Sequence, residues 1–450
     1  MAGAGVALEH IRRFSRGKGP FAILRAGQGG FLNGDPPRAL FFWRQSAHGL
    51  MSGSPCKNPP SLSFPRKTGL ALRGRQNTLV GVTEEFPVSP PRAWAEIDLA
   101  ALRSNLAVAR QSCGVELMAV VKAGAYGHGL EEIARALATE DLAFFGVANV
   151  REARQIRHAG VSTRIYLLGP TWSAERAEIV ARDWTPCISS LEEAREFNHL
   201  AAARGTRLKV HLAVDTGMGR GGFVADGLSA TLAALEGFEW LEIEGIGSHL
   251  PSADEDEPFT RHQMARFDAI ILELGGSTRF RWRHLSNSAG ILGYPNGACN
   301  LARPGLMLYG ISPLPQFQPL LRNVMTLKSR ITLLRDLPAG HGVSYGRAFV
   351  TSRPTRVATV GIGYGDGYPR QVSGQGAEVW IAGRRFPILG RVTMDQMMVD
   401  VSACACVAEG DEVELFGPHL PVAEVAVLAQ TVVWEILTGI TPRVMRRYHP

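Results

Sequence analysis

Between residues 115 and 303 the chain alternates short apolar runs with longer segments of helical period, and it does so eight times. The runs lie near 115–121, 142–148, 163–168, 184–189, 207–214, 241–248, 281–285 and 299–303. Short apolar runs rich in branched residues and bounded by turn signals read as strands buried on both faces. Helical patterns such as Leu130–Thr139, Arg151–Ala159, Leu191–Ala203 and Phe259–Leu274 lie between them. Ser190, ahead of Leu191-Glu192-Glu193, reads as an N-cap with acidic residues in the first turn. Eight such units predict an α/β architecture, a (β/α)8 TIM barrel. The competing doubly wound sheet has fewer strands and a glycine fingerprint on its first turn. After about Asn323 the runs alternate and are separated by Gly and Pro: Ser329–Leu334, Arg356–Ile362, Ala377–Ile381, Gln396–Val401 and Glu412–Leu415. That pattern predicts a mainly-β second domain. The expected divisions are a leader over 1–85, a barrel over 86–324 and a β-domain over 325–450.

The net charge of +7 belongs to the leader. Residues 1–83 carry 12 Lys/Arg and 2 Asp/Glu, whereas the remainder is slightly acidic. The body therefore gives no reason to expect a nucleic-acid partner. The leader, rich in Gly, Pro, Ser and Arg, reads as disordered. Val6, Leu8, Ile11 and Phe14 with Arg12, Arg13 and Arg16 fit a short basic amphipathic helix. An organelle transit peptide has that composition. We favour instead an upstream stretch ahead of a later start such as Met51, and a cytoplasmic protein. No run of about 18 apolar residues predicts a membrane span. Cys56, Cys113, Cys187, Cys299, Cys404 and Cys406 have no metal-site spacing, and reduced thiols are the simplest reading. No metal site is expected.

The chemistry gathers at strand ends, where barrels of this kind keep their active sites. Lys122 closes an apolar run in Val120-Val121-Lys122-Ala123-Gly124-Ala125-Tyr126-Gly127-His128-Gly129. A lysine placed there loses hydration, and a neutral amine condenses with an aldehyde. Arg220 follows the fifth run, His249 ends the sixth, Asn287 and Ser288 follow the seventh, and Arg303 ends the eighth before Pro304-Gly305-Leu306. Taken singly, each has a plain structural explanation: a snorkelling lysine, a satisfied core histidine, an ion-pair arginine, a helix cap. Their convergence on one rim is what marks a site. The second domain adds Val343-Ser344-Tyr345-Gly346, Gly363-Tyr364-Gly365-Asp366-Gly367 and Thr393-Met394-Asp395-Gln396. None of its glycine-rich stretches opens a strong helical pattern, so a dinucleotide fingerprint is not expected.

In these segments the chain from about Trp94 to Tyr448 resembles the alanine racemases, the fold-type III class that uses pyridoxal 5′-phosphate (PLP). The resemblance implies a homodimer with shared active sites that interconverts L- and D-alanine, supplying D-alanine for peptidoglycan. It implies that Lys122 joins PLP as an aldimine and serves one face of the substrate Cα, while Tyr345 from the partner subunit serves the other. It assigns Tyr126, Ser288 with Asn287, Gly305, Leu306 and Tyr364 to the phosphate, Arg303 to the pyridine nitrogen and Arg220 to the phenolic oxygen. His249 would support Arg303 and Tyr345, and Met394 with Asp395 from the partner would bind the substrate carboxylate together with Arg220. Two groups are needed because a proton leaves one face and returns to the other. An arginine opposite the pyridine nitrogen is always protonated and gives that nitrogen no proton. Two positions depart from the pattern. Gly124 stands where the family usually has asparagine, and Ala213 stands where many members have a carbamylated lysine that orients the arginine. A broad-specificity serine or lysine racemase, a PLP decarboxylase and a non-catalytic PLP-binding protein are the alternatives; the last lacks a second domain.

Overall fold

The computed structural model describes residues 90–450. The leader helix, Met51 and Cys56 considered above lie outside the described residues. Eight parallel strands close into a barrel: Glu116–Val120, Phe144–Val147, Ile165–Leu167, Thr185–Ile188, Leu208–Asp215, Leu241–Gly247, Trp282–His284 and Leu301–Ala302, the last pairing back onto the first. Each falls within about two residues of its apolar run. Helices return the chain between strands. Leu191–Arg204 is capped at its start by Ser190, whose side chain accepts from the Glu193 N–H, and at its end by Gly205 with φ of 62°. Such caps satisfy backbone groups that the helix leaves unpaired. Among the described residues no single helix is long and apolar enough to cross a membrane.

The second domain is built on one long strand, Met325–Leu337. It pairs antiparallel with Glu412–Phe416 along its first half and with Thr355–Val360 along its second. Met397–Asp400, Arg384–Leu389 and Glu378–Ile381 complete a closed antiparallel ring of six strands. Bulges near Leu327 and Ile331 let the long strand serve both neighbours. Two short helices, Val422–Leu428 and Val433–Gly439, follow.

Two expectations are corrected. Residues 93–98 do not belong with the barrel. The strand Ala93–Asp98 pairs with Met325–Leu337 and with Met445–His449, so the second domain's sheet takes its penultimate strand from the start of the described residues. Asp98 ends that strand and caps the next helix by accepting from the Ala101 N–H at 2.7 Å, so the chain passes from β-domain to barrel without a linker. Cys404 and Cys406 are joined by a disulfide in the turn after Met397–Asp400, whereas Cys113, Cys187 and Cys299 are free. Their Cα atoms lie 5.4 Å apart, within the span a disulfide bridges.

Candidate active site

At the end of Glu116–Val120 the backbone enters a left-handed turn. Ala123, Gly124, Ala125 and Tyr126 have φ of 54°, 63°, 54° and 53°. For a non-glycine residue this conformation costs roughly 1–2 kcal/mol, so the turn must be held. Glu152 holds it: its carboxylate accepts from the Ala123 N–H at 2.6 Å and from the Ala148 N–H at 2.8 Å. His128 Nδ1 meets the Tyr126 carbonyl at 2.9 Å from within the core. The departure at Gly124 is thereby explained. A Cβ there would touch nothing within 4 Å, and glycine and asparagine are the residues that tolerate this conformation. Lys122, half-buried at the head of the turn, has no hydrogen-bond partner for its amine among the described residues. Burial lowers its pKa, the Arg220 charge lowers it further, Glu152 opposes and Arg303 assists.

Lys122 lines a cavity of about 750 Å³ with Tyr126, Arg220, His249, Asn287, Ser288, Arg303, Gly305 and Leu306. The Ser288 hydroxyl oxygen accepts from the N–H groups of Gly305 and Met307 at 3.1 and 3.2 Å, which leaves its own proton to donate. The Leu306 N–H opens a turn of 3-10 helix and has no partner inside it. Tyr126 stacks on Tyr309 with centroids 4.7 Å apart, and burial pushes its phenol up to about 12, so it stays a donor. A Cβ on Gly305 would come within 2.6 Å of that hydroxyl. Three donors without acceptors thus line one wall, an arrangement suited to a phosphate. Asn287 caps the short helix behind them, accepting from the Gly290 N–H and donating to the Leu250 carbonyl. Its side chain is thus structural, and the Gly305 N–H is already bonded to Ser288.

Arg303 is buried, and no carboxylate pairs with it among the described residues. Its Nη2 donates to the carbonyls of Ser248 and Leu285 and to Nδ1 of His249 at 3.2 Å, while Nη1 meets His284 Nδ1 at 2.5 Å. Nε has no partner among the described residues. His249 is pushed down to about 3 by burial and then by the charges of Arg303, Arg220 and Lys122, so it is neutral. Arg220 is delivered by a turn that Asp215 organises: its carboxylate accepts from the N–H groups of Gly217, Met218 and Gly219 at 2.8 to 2.9 Å. The guanidinium itself has no ion-pair partner among the described residues, and Ala213 lines the cavity beside it.

Four expected residues are not brought to this cavity by a single chain. Tyr345, Tyr364 and Met394 are exposed on the β-domain, 70%, 40% and 51% accessible. Tyr364 is therefore corrected as a phosphate ligand in its own chain. Its loop packs instead on the Met394 segment, with the Gly365 N–H bonded to the Met394 carbonyl at 2.8 Å and the Tyr364 N–H to the Thr393 carbonyl at 3.0 Å. Asp395 pairs with Arg443 at 2.6 Å, and buried Asp366 pairs with Arg92 and Arg443 at 3.3 and 3.4 Å. Ser344 ties Tyr345 to this patch by donating to the Arg391 carbonyl. Trp434 and Thr438, from a helix of the second domain, line the cavity instead. Neither they nor Glu152 carried a local signal. His284 ends the seventh barrel strand, and only that place hinted at its role.

Residues 97–313 match the alanine racemase N-terminal domain and residues 324–448 the alanine racemase C-terminal domain. The alanine racemase of Desulforamulus reducens is 40% identical over 366 residues, covering 79% of this chain and 98% of that protein. The solved alanine racemase of Clostridium difficile 630 superposes with a TM-score of 0.76 at 33% identity, over 80% of this chain and 96% of that one. That of Bartonella henselae, with covalently bound pyridoxal phosphate, gives 0.73 at 32% identity, over 80% of this chain and all of that one (100%).

Proposed function

The chain belongs to the alanine racemase family, and from that premise we propose that L- and D-alanine are interconverted in this cavity around PLP, with Lys122 on one face of the substrate Cα and Tyr345 of a second copy on the other. What carries the reading is the meeting of an unpartnered, half-buried amine with a wall of three free donors. When bound, PLP supplies an aldehyde for Lys122 and a ring that draws electron density from Cα. Tyr126, Ser288 and the Leu306 N–H would hold its phosphate, Arg303 would serve its pyridine nitrogen, and Arg220 its phenolic oxygen.

The protein groups then manage one proton. Lys122, with its proton affinity lowered, takes it or returns it on its own side. His249 accepts from Arg303 at Nδ1, so its neutral ring carries hydrogen on Nε2. That hydrogen is available to the oxygen of an incoming phenol. The patch that carries Tyr345, Met394 and Asp395 is exposed and braced by ion pairs, which suits presentation to a second copy. We assign the D-alanine to peptidoglycan supply.

Mixing subunits tests the shared site. Lys122→Ala and Tyr345→Phe proteins are each expected to be nearly inactive. In a mixed dimer both changes fall in one site and the other is intact, so random re-pairing should restore about a quarter of the wild-type activity. No recovery from verified mixed dimers would overturn the arrangement.

A further inference from the structure

Beneath the cavity a column of buried polar groups runs through the barrel. Arg303 donates to His284 Nδ1, and His284 Nε2 lies 2.9 Å from His211 Nδ1. His211 Nε2 faces Glu244 Oε1 at 3.6 Å, longer than a hydrogen bond, so attraction there is Coulombic. Arg164 closes the column, donating to Glu244 Oε2 at 3.3 Å and to Thr185 Oγ1 at 3.0 Å. His211, His284 and Glu244 are 0%, 2% and 5% exposed. Arg303 follows Leu301–Ala302 and Arg164 precedes Ile165–Leu167, so the column joins the two rims of the barrel.

One strand is shaped to admit it. Along Leu241–Gly247 the pairing with Leu208–Asp215 slips by a residue: Val210 faces Ile243, but His211 faces Gly245. Glu244 is the extra residue of a bulge, a device that re-aims a side chain. A Cβ on Gly245 would lie 2.6 Å from the His211 ring, and one on Gly247 would collide with His284. Branched apolar side chains normally fill these layers, and buried charge is expensive to keep.

The ends of the column fix its direction. A guanidinium only donates, so while Arg303 keeps this orientation His284 Nδ1 accepts and its hydrogen sits on Nε2, and a reversed tautomer would turn the guanidinium away. That hydrogen points at His211 Nδ1, which leaves the His211 hydrogen on Nε2, facing a carboxylate that only accepts. The opposite order would set a His284 N–H against Arg303. Burial and the Arg303 charge hold His284 neutral, and burial holds His211 neutral against the pull of Glu244.

We propose that Glu244 and His211 are positioning residues: they lock the tautomer of His284 and so hold the Arg303 guanidinium in one orientation towards the cavity. Its consequence for racemisation rests on the reading of the cavity given above, whereas the tautomers do not. The test is Glu244→Gln, which keeps the shape but supplies both a donor and an acceptor, studied as holoenzyme with ¹⁵N-labelled histidine. Wild type should show His211 and His284 each as a single Nε2–H tautomer. The variant should show mixed tautomers at both, a shifted visible absorption of the bound cofactor, and kcat lower by about 10–100-fold with KM for alanine unchanged. Unchanged single tautomers in a folded Glu244→Gln protein would overturn the proposal, as would mixed tautomers with unaltered kcat and absorption. If that variant does not fold, Arg164→Met at the more exposed end removes the counter-charge of Glu244 and should produce the same changes in smaller measure; its absence there counts equally against the column. A wild-type protein that neither binds PLP nor racemises alanine would sink the reading of the cavity, and the histidine spectra would still decide the column.

Discussion

The barrel rim and the β-domain patch hold the two halves of the proposed site in opposite ways. At the rim the groups other than the exposed Arg220 are recessed, and their positions are enforced by buried partners: Glu152 on the turn after Lys122, Ser288 on the Gly305 loop, two histidines on Arg303. On the patch Tyr345, Tyr364 and Met394 stand in solvent, and only their loops are braced. A rim built this way is prepared to bind before any partner arrives. A patch built this way has no use for its exposed side chains until something covers them.

The largest effect expected follows from that contrast. Tyr345→Phe should lower racemisation by about 10²–10⁴-fold and leave thermal stability unchanged, since the side chain is largely exposed in its own chain. Deuterium wash-in at Cα from heavy water should persist for one alanine enantiomer and vanish for the other; equal loss for both would remove the two-face assignment.

Acid should attack the rim first. His128 and His249 are pushed down to about 4 and about 3, and His211 and His284 are also lowered, all with burial as the first cause. A histidine whose folded pKa lies below its unfolded value of about 6.5 binds its proton only on unfolding. Its stabilising effect is therefore full above that value and is lost as pH falls below it, by up to roughly 1.4 kcal/mol per pH unit for each group. Denaturant titrations between pH 7 and 5 should show uptake of more than one proton per unfolding event, reduced in His128→Gln. A flat profile would mean these rings are not held neutral.

Next comes the turn. Glu152→Gln keeps one acceptor for the two N–H groups that its carboxylate now serves, and should destabilise by about 1–3 kcal/mol, with a matching loss of PLP affinity. A variant that loses stability but not affinity would separate the turn from the cofactor. The smallest effect belongs to Gly124→Asn, which enters open space in a conformation asparagine tolerates. It should change stability by less than about 0.5 kcal/mol and leave kcat alone.

What the sequence makes legible follows the same division. The eight barrel strands are readable because burial on both faces leaves short continuous apolar runs, and Lys122, Ser288 and Arg303 because strand ends of a barrel converge; Tyr126 is added by the resemblance. Ala93–Asp98 is not readable as part of the second domain, since its partners lie beyond residue 320 and nothing local names them. Tyr364 is placed on the phosphate by the resemblance, whereas the glycines around it let its loop press against the backbone of Thr393 and Met394. Glu152 resembles any acid in a first helical turn until the strained backbone it grips is seen. Trp434 and Thr438 reach the cavity from the far end of the chain.

The strand Ala93–Asp98 also has a bearing on how the molecule is made. It is synthesised before the whole barrel, yet its neighbours in the sheet emerge only with Met325–Leu337 and, last of all, Met445–His449. A cut near residue 324 would strand it on the wrong fragment and leave the carboxyl-terminal piece with a gap beside its longest strand. The two domains are stitched together by their own hydrogen bonds, and the nascent chain must keep one apolar ribbon waiting until translation is nearly complete.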